Sequence, residues 1–185
     1  MTRARVLIPA SILVVLLAPA LAAQGSFVLR VNAGATTEYT DKAGQTWRPD
    51  RAWEPGGDYG FSGGDIVDRG ARLAIAHTED ARIYQTERYQ TDRFVAKVPN
   101  GTYTVRLHFA ETYEDIEFDG PRVFDVTIEG KRVLEMFDVQ KTAGARNRAI
   151  VQEFTGVAVT DGELVIGFIA RQQNAMVNGI EIVGQ

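Results

Sequence analysis

The side chains best suited to chemistry in this sequence are rings and carboxylates. Tyr59, Tyr84, Tyr89, Tyr113, Trp47 and Trp53 fall at or near turn-rich stretches, with acids and amides beside them. Sugars present apolar C–H faces and hydroxyl edges, so a site for them combines flat aromatic rings with a few amides and carboxylates. The competing reading for each ring is burial, because tryptophan and tyrosine are routine in β-sandwich cores. The cluster, not any one ring, carries the binding reading. A second concentration is the acidic run Glu114, Asp115, Glu117 and Asp119. Two carboxylates could perform the acid–base work of a glycosidase, and several could hold Ca²⁺ through hard oxygen ligands. The run lacks the D-x-D-x-D-G spacing of a calcium loop and lies between two strand-like runs. A solvated or ligand-rim loop is therefore its expected state, and no metal is assigned.

Nucleophilic catalysis has little to draw on. Beyond residue 22 the only serines are Ser26 and Ser62, and the only histidines are His77 and His108. There is no H-E-x-x-H pair or glycine-rich phosphate loop, so the chain is read as non-catalytic and without cofactor. His108 falls on the polar side of its strand and is expected as an exposed cross-strand neighbour. A net charge of −4 with both signs interspersed makes no basic stripe, which argues against a nucleic-acid partner. The absence of cysteine excludes disulfide scaffolds, thiolate metal sites and Cys nucleophiles.

These residues need a scaffold to position them. The chain opens with Arg3 and Arg5, an apolar run from Val6 to Leu17, and the small residues Ala20 and Ala22. That is the layout of a secretory signal peptide cut after Ala22, placing the mature chain outside the cell or in a periplasm. The alternative, a membrane anchor over Val6 to Ala23, is opposed by Pro9, Pro19 and the short central run. Cleavage leaves 163 of the 185 residues, the size of one domain, over 23–185. Within it the rhythm is alternation. Tyr103, Val105, Leu107 and Phe109 point one way while Thr104, Arg106 and His108 point the other. Asn100-Gly101, Glu129-Gly130 and Asp161-Gly162 punctuate such runs, and these pairs suit tight turns. A last strand spans Met176 to Val183, with Gly179 as a candidate bulge. Asp41 to Arg72, rich in glycine and aromatics, reads as a long ordered loop region. The fold class is all-β, a jelly-roll-type antiparallel β-sandwich with long aromatic loops.

Several phrases carry a family resemblance. Val31-Asn32-Ala33-Gly34, Asp58-Tyr59-Gly60, Tyr84-Gln85-Thr86-Glu87-Arg88-Tyr89, Phe109-Ala110-Glu111-Thr112-Tyr113, Val123-Phe124-Asp125-Val126, Gly162-Glu163-Leu164 and Asn174-Ala175-Met176-Val177 resemble, in order and spacing, the malectin domain. The resemblance runs from Leu29 to Val183. It implies a jelly-roll sandwich that binds carbohydrate without transforming it, its pocket for a glucose-containing disaccharide made by loop aromatics and a late aspartate. Tyr59, Tyr89 and Tyr113 match the stacking positions. Two positions depart: Glu114 stands where the family has phenylalanine, and Gln173 where it has the aspartate. Tyr59, Tyr89 and Tyr113 are thus assigned to stacking, and Glu114, Gln173 and Asn174 to reading hydroxyls. Arg88, Glu111 and Asp125 are read as structural braces. The expected partner is an oligosaccharide or glycan. Two other classes stay open: a small glycosidase built on the Glu114 to Asp119 acids, and an envelope or extracellular protein-interaction module presenting the Trp47 to Phe61 stretch.

Overall fold

The computed structural model describes residues 27–185, so the leader expected over 1–22 lies outside the described residues. The strands are β1 (Val28–Asn32), β2 (Tyr39–Thr40), β3 (Thr46–Pro49), β4 (Tyr59–Asp68), β5 (Thr86–Lys97) and β6 (Gly101–Phe109). They continue with β7 (Val123–Ile128), β8 (Lys131–Asp138), β9 (Ile150–Val159), β10 (Glu163–Gln172), β11 (Met176–Val177) and β12 (Gly179–Gly184). Three single-turn helices interrupt them: α1 (Ala81–Tyr84), α2 (Ile116–Asp119) and α3 (Val139–Ala143). The strands form two sheets. One has the order β2-β3-β1-β12-β6-β9; the other runs β11-β5-β10-β7-β8, with β4 on the free side of β5. Pairing is antiparallel except between β1 and β3. The alternating residues named above face the space between the sheets, where Phe61, Phe94, Phe109, Phe124, Leu107, Ile166 and Ile180 close a continuous core.

The turn signals divide into two kinds. Glu129 and Gly130, with φ of 50° and 70°, close the β7–β8 hairpin, the geometry of a two-residue turn. Asn100-Gly101 and Asp161-Gly162 do not close hairpins, because β5 and β10 lie in one sheet while β6 and β9 lie in the other. Both are corners between sheets, and they brace each other: Asn100 Nδ2 donates to the Thr160 carbonyl at 2.9 Å, and Val98 N to the Gly162 carbonyl at 3.0 Å.

Two expectations need correction. The stretch from Asp41 to Arg72 is not all loop; it contains β3 and the ten-residue β4. Glycines that dilute its alternation are there because β4 runs close to β5. Gly64, at φ +77°, has no room for a Cβ against the Tyr89 carbonyl. The last strand is in fact two, since β11 pairs with β5 and β12 with β1 and β6. Asn178 makes the crossing. It is fully buried; its Oδ1 accepts from Ala110 N at 2.7 Å and its Nδ2 donates to the Thr86 carbonyl at 2.7 Å.

A smaller apolar cluster, with Trp47, Ile75, Ile83, Tyr84, Ala110 and Ala149, underlies the connections at one side. His108 belongs here and is buried, not exposed as its strand position suggests. The Trp47 ring meets it edge-on at 5.1 Å. Burial pushes the Tyr84 phenol well above its ordinary value, so the hydroxyl keeps its proton and donates to His108 Nδ1 at 2.8 Å. His108 Nε2 then carries the ring hydrogen toward Glu181 Oε1, 3.1 Å away.

Candidate functional site

The second sheet splits, and the split makes a cleft. The C-terminal half of β5 pairs with β10 through Arg93–Lys97, whereas Arg88 and Tyr89 pair with β11. Between β10 and β11 the chain leaves the sheet at Gln173, which adopts a φ of 56°, and is tied back where Gln90 N donates to the Ala175 carbonyl at 3.0 Å. The resulting cleft, about 300 Å³, is lined by Tyr89, Tyr113, Gln173 and Asn174, with Ile66 and Val67 from β4 and the charged groups Arg69, Glu87 and Arg122.

Each wall is held by named contacts. Tyr113, in the β6–α2 connection, donates its hydroxyl to Asp119 Oδ2 at 2.7 Å. That bond to a carboxylate is the main reason its phenol is shifted upward. The Arg122 and Arg69 guanidiniums lie 5.5 and 6.0 Å from its ring centroid, within cation–π range. Gln173 Nε2 donates to the Asp119 carbonyl at 2.6 Å, so Asp119 links both sides of the mouth. On the floor, the buried Glu87 accepts from Thr112 Oγ1 at 3.0 Å and from Arg69 Nη2 at 3.4 Å. Beneath it Arg122 Nε stands 3.1 Å from Glu111 Oε2. The two are an ion pair without hydrogen-bond alignment: Glu111 Oε2 and Arg122 Nη1 are both buried and lack a hydrogen-bond partner. Burial pushes the Glu111 carboxyl up, with Arg122 pulling the other way. The floor thus pairs two cations with two acids and offers donors and acceptors alike, which suits a neutral polyhydroxylated ligand.

The residues assigned from sequence divide accordingly. Tyr89, Tyr113, Gln173 and Asn174 converge in the cleft. Tyr59 does not: it is 2% exposed, packs on Phe94, and donates its hydroxyl to the Pro49 carbonyl at 2.9 Å. Arg48 and Arg51, both paired to Asp58, cover its ring at 4.7 and 3.8 Å, so no face is left for a ligand. Glu114 is exposed and lines no part of the cleft; its carbonyl accepts from Arg146 Nη1 at 2.7 Å. Three floor residues escaped the sequence reading. Glu87 was within reach of it, since in an extended strand it shares a face with Tyr89 two residues on. Arg69 and Arg122 come from connections with no periodicity to mark them.

The three braces are in place. Arg88 Nη2 pairs with Asp50 Oδ1 at 2.7 Å, Glu111 meets Arg122, and Asp125 Oδ2 accepts from Arg171 Nη2 at 2.7 Å. Among the described residues, the histidines and Ser62 are each held by other partners. His108 is bound to Tyr84 and Glu181, His77 receives Arg148 Nε at 3.2 Å, and Ser62 receives Arg93 Nε at 3.3 Å. Among the described residues no group of three or more acidic or histidine side chains is placed to hold a metal ion. No helix among them is long and apolar enough to cross a membrane.

The two-sheet architecture, with a cleft at a sheet split, defines an all-β domain of the β-sandwich class. Residues 27–185 match the Malectin domain family, and the chain belongs to that family. It is 39% identical to Receptor-like protein 4 of Arabidopsis thaliana over 85 residues, 45% of this chain and 13% of the relative. It is 31% identical to Malectin-B of Xenopus laevis over 108 residues, 56% of this chain and 38% of the relative. The aligned stretches therefore take in well under two thirds of either relative. Among solved structures, a Bacteroides uniformis β-glucuronidase superposes with a TM-score of 0.77 at 25% identity, covering 86% of this chain and 18% of that one.

Proposed function

We propose that this chain is a non-catalytic carbohydrate-binding domain, holding one end of an oligosaccharide between Tyr89 and Tyr113. The observation that carries the reading is the convergence of these two rings with Gln173, Asn174 and the floor charges Arg69, Glu87 and Arg122 in one cleft. The rings supply flat apolar faces for sugar C–H groups, and the amides and floor charges read hydroxyls. A hydroxyl misplaced by epimerisation would leave a buried partner unpaired. At about 300 Å³ the cleft is at the small end of ligand pockets, suited to one sugar ring with the rest of the chain outside. Membership of the malectin family supports the ligand class. With Tyr59 in the core and Glu114 outside the cleft, Tyr89 and Tyr113 bear the stacking and Gln173 and Asn174 the hydroxyl reading. The leader-like start of the sequence supports delivery across a membrane as part of this reading.

The test is a glycan array probed with residues 23–185 and with Tyr89→Ala and Tyr113→Ala variants of unchanged melting temperature. The expected result is a selective signal that both variants lose. Silence across a broad array overturns carbohydrate binding, and a signal indifferent to both substitutions overturns this site.

A further inference from the structure

The rim of the cleft carries an aromatic ring that the cleft itself does not use. Phe118, on α2, is 88% exposed, far more than any other large apolar side chain described. It is not on a loose segment. Ile116 of the same turn is buried, Asp119 accepts the Tyr113 hydroxyl and the Gln173 amide, and Arg146 holds the Glu114 carbonyl. The turn is pinned on the cleft side and beneath, yet presents its phenylalanine to water.

The far side of α2 has a hollow of its own. It measures about 290 Å³, close to the first, and is lined by Ile116, Glu117, Gly120, Asp138, Gln140 and Lys141 among others. At 100° per residue, Glu117 turns toward this hollow, Asp119 toward the Tyr113 cleft, and Phe118 outward between them. A single helical turn lies between two sites of similar size. The lining of the second sets polar groups beside apolar surface: the carboxylates of Glu117 and Asp138, the Gln140 amide and the Lys141 ammonium stand next to Ile116 and Pro121. Neither α2 nor the lining of this hollow exposes a second large apolar side chain beside Phe118, as a protein-docking patch would.

We infer that α2 is the ridge of one extended oligosaccharide groove: the terminal sugar enters the Tyr89–Tyr113 cleft, a following ring stacks on Phe118, and later units lie in the second hollow against Glu117, Gln140 and Lys141. This rests on the reading of the cleft as a sugar site. It makes the ligand a chain longer than a disaccharide.

Titration calorimetry of residues 23–185 with malto-, cello- and laminari-oligosaccharides of two to six units, and with the same length series of any glycan the array selects, tests it. The expected dissociation constant falls about tenfold from the shortest to the longest member, the gain of one stacked ring with its polar contacts. Phe118→Ala flattens the series so that long and short chains bind alike, and Lys141→Ala weakens only the longest members. Tyr89→Ala weakens every length together. A length-independent affinity, or a length gain that survives Phe118→Ala at unchanged melting temperature, overturns the groove while leaving the cleft standing. Failure of every length to bind overturns both.

Discussion

Arg88 shows how much of the site depends on groups that never touch a ligand. Its guanidinium is buried against Asp50, donates to the Gly63 and Gly64 carbonyls at 3.1 and 2.9 Å, and shares Asp50 with the Gly34 amide. Removing one partner of such a pair strands a charge in low dielectric, so Asp50→Ala is expected to cost about 3–5 kcal/mol in urea unfolding. A loss under about 1 kcal/mol would mean that water reaches Arg88. Glu181 sets the response to acid. Burial pushes its carboxyl up, but the hydrogen bond with His108 and the Arg30 guanidinium outweigh burial and hold it below its usual 4.5. A carboxyl with a lowered folded value stabilises the fold above the unfolded value, and that stabilisation drains as pH falls through the folded one. Melting temperatures between about pH 3 and 6 should fall less steeply in Glu181→Gln than in the parent; parallel curves would refute the assignment.

At the level of elements, β4 and β5 together aim the site. Tyr89 stands opposite Asp65, one step from the close approach at Gly64, and the register shifts between Ser62 and Gly63. A Cβ at Gly64 collides with the Tyr89 carbonyl at a φ that only glycine adopts freely. Gly64→Ala should therefore lower the melting temperature and weaken sugar binding together, whereas Gly130→Ala, at positive φ but in open space, should lower stability with binding kept. Equal binding in both variants would separate the register from the cleft. The same strands show what was legible in the sequence. Alternation revealed β6, β7 and β10 because each turns a row of apolar side chains at every second position into the core between the sheets. It missed β4, an edge strand whose glycines answer to backbone proximity instead of burial. Asx-Gly pairs announced that the chain turns, but whether a turn closes a hairpin or crosses the sandwich depends on which sheet receives the next strand. Motif order picked out Tyr89, Tyr113, Gln173 and Asn174, which the fold brings to one cleft. It misplaced Tyr59, because stacking on Arg48 and Arg51 in three dimensions is invisible to spacing.

For the whole molecule, binding and folding are linked through the cleft. Its walls come from β4, β5, the β6–α2 connection and the β10–β11 connection, segments brought together only when both halves of the divided sheet are formed. An unfolded chain has no such site, so a ligand must stabilise the fold by mass action. A disaccharide of about two dozen heavy atoms, at roughly 0.3 kcal/mol per atom, binds no tighter than about 10 μM. At about 1 mM ligand, a hundredfold excess over that limit, the stabilisation reaches at most about 2.7 kcal/mol. For a domain of this length each kcal/mol raises the melting temperature by about 2–4 °C, so the ceiling is a rise of about 5–10 °C. A cognate glycan at millimolar concentration should give a saturable rise within that bound, absent in Tyr89→Ala, when unfolding is followed by calorimetry. A larger rise with the disaccharide would mean contacts beyond one cleft. A glycan that binds on the array yet leaves the melting temperature unmoved would place its contacts on a surface that survives unfolding, not in a cleft assembled from distant segments of the chain.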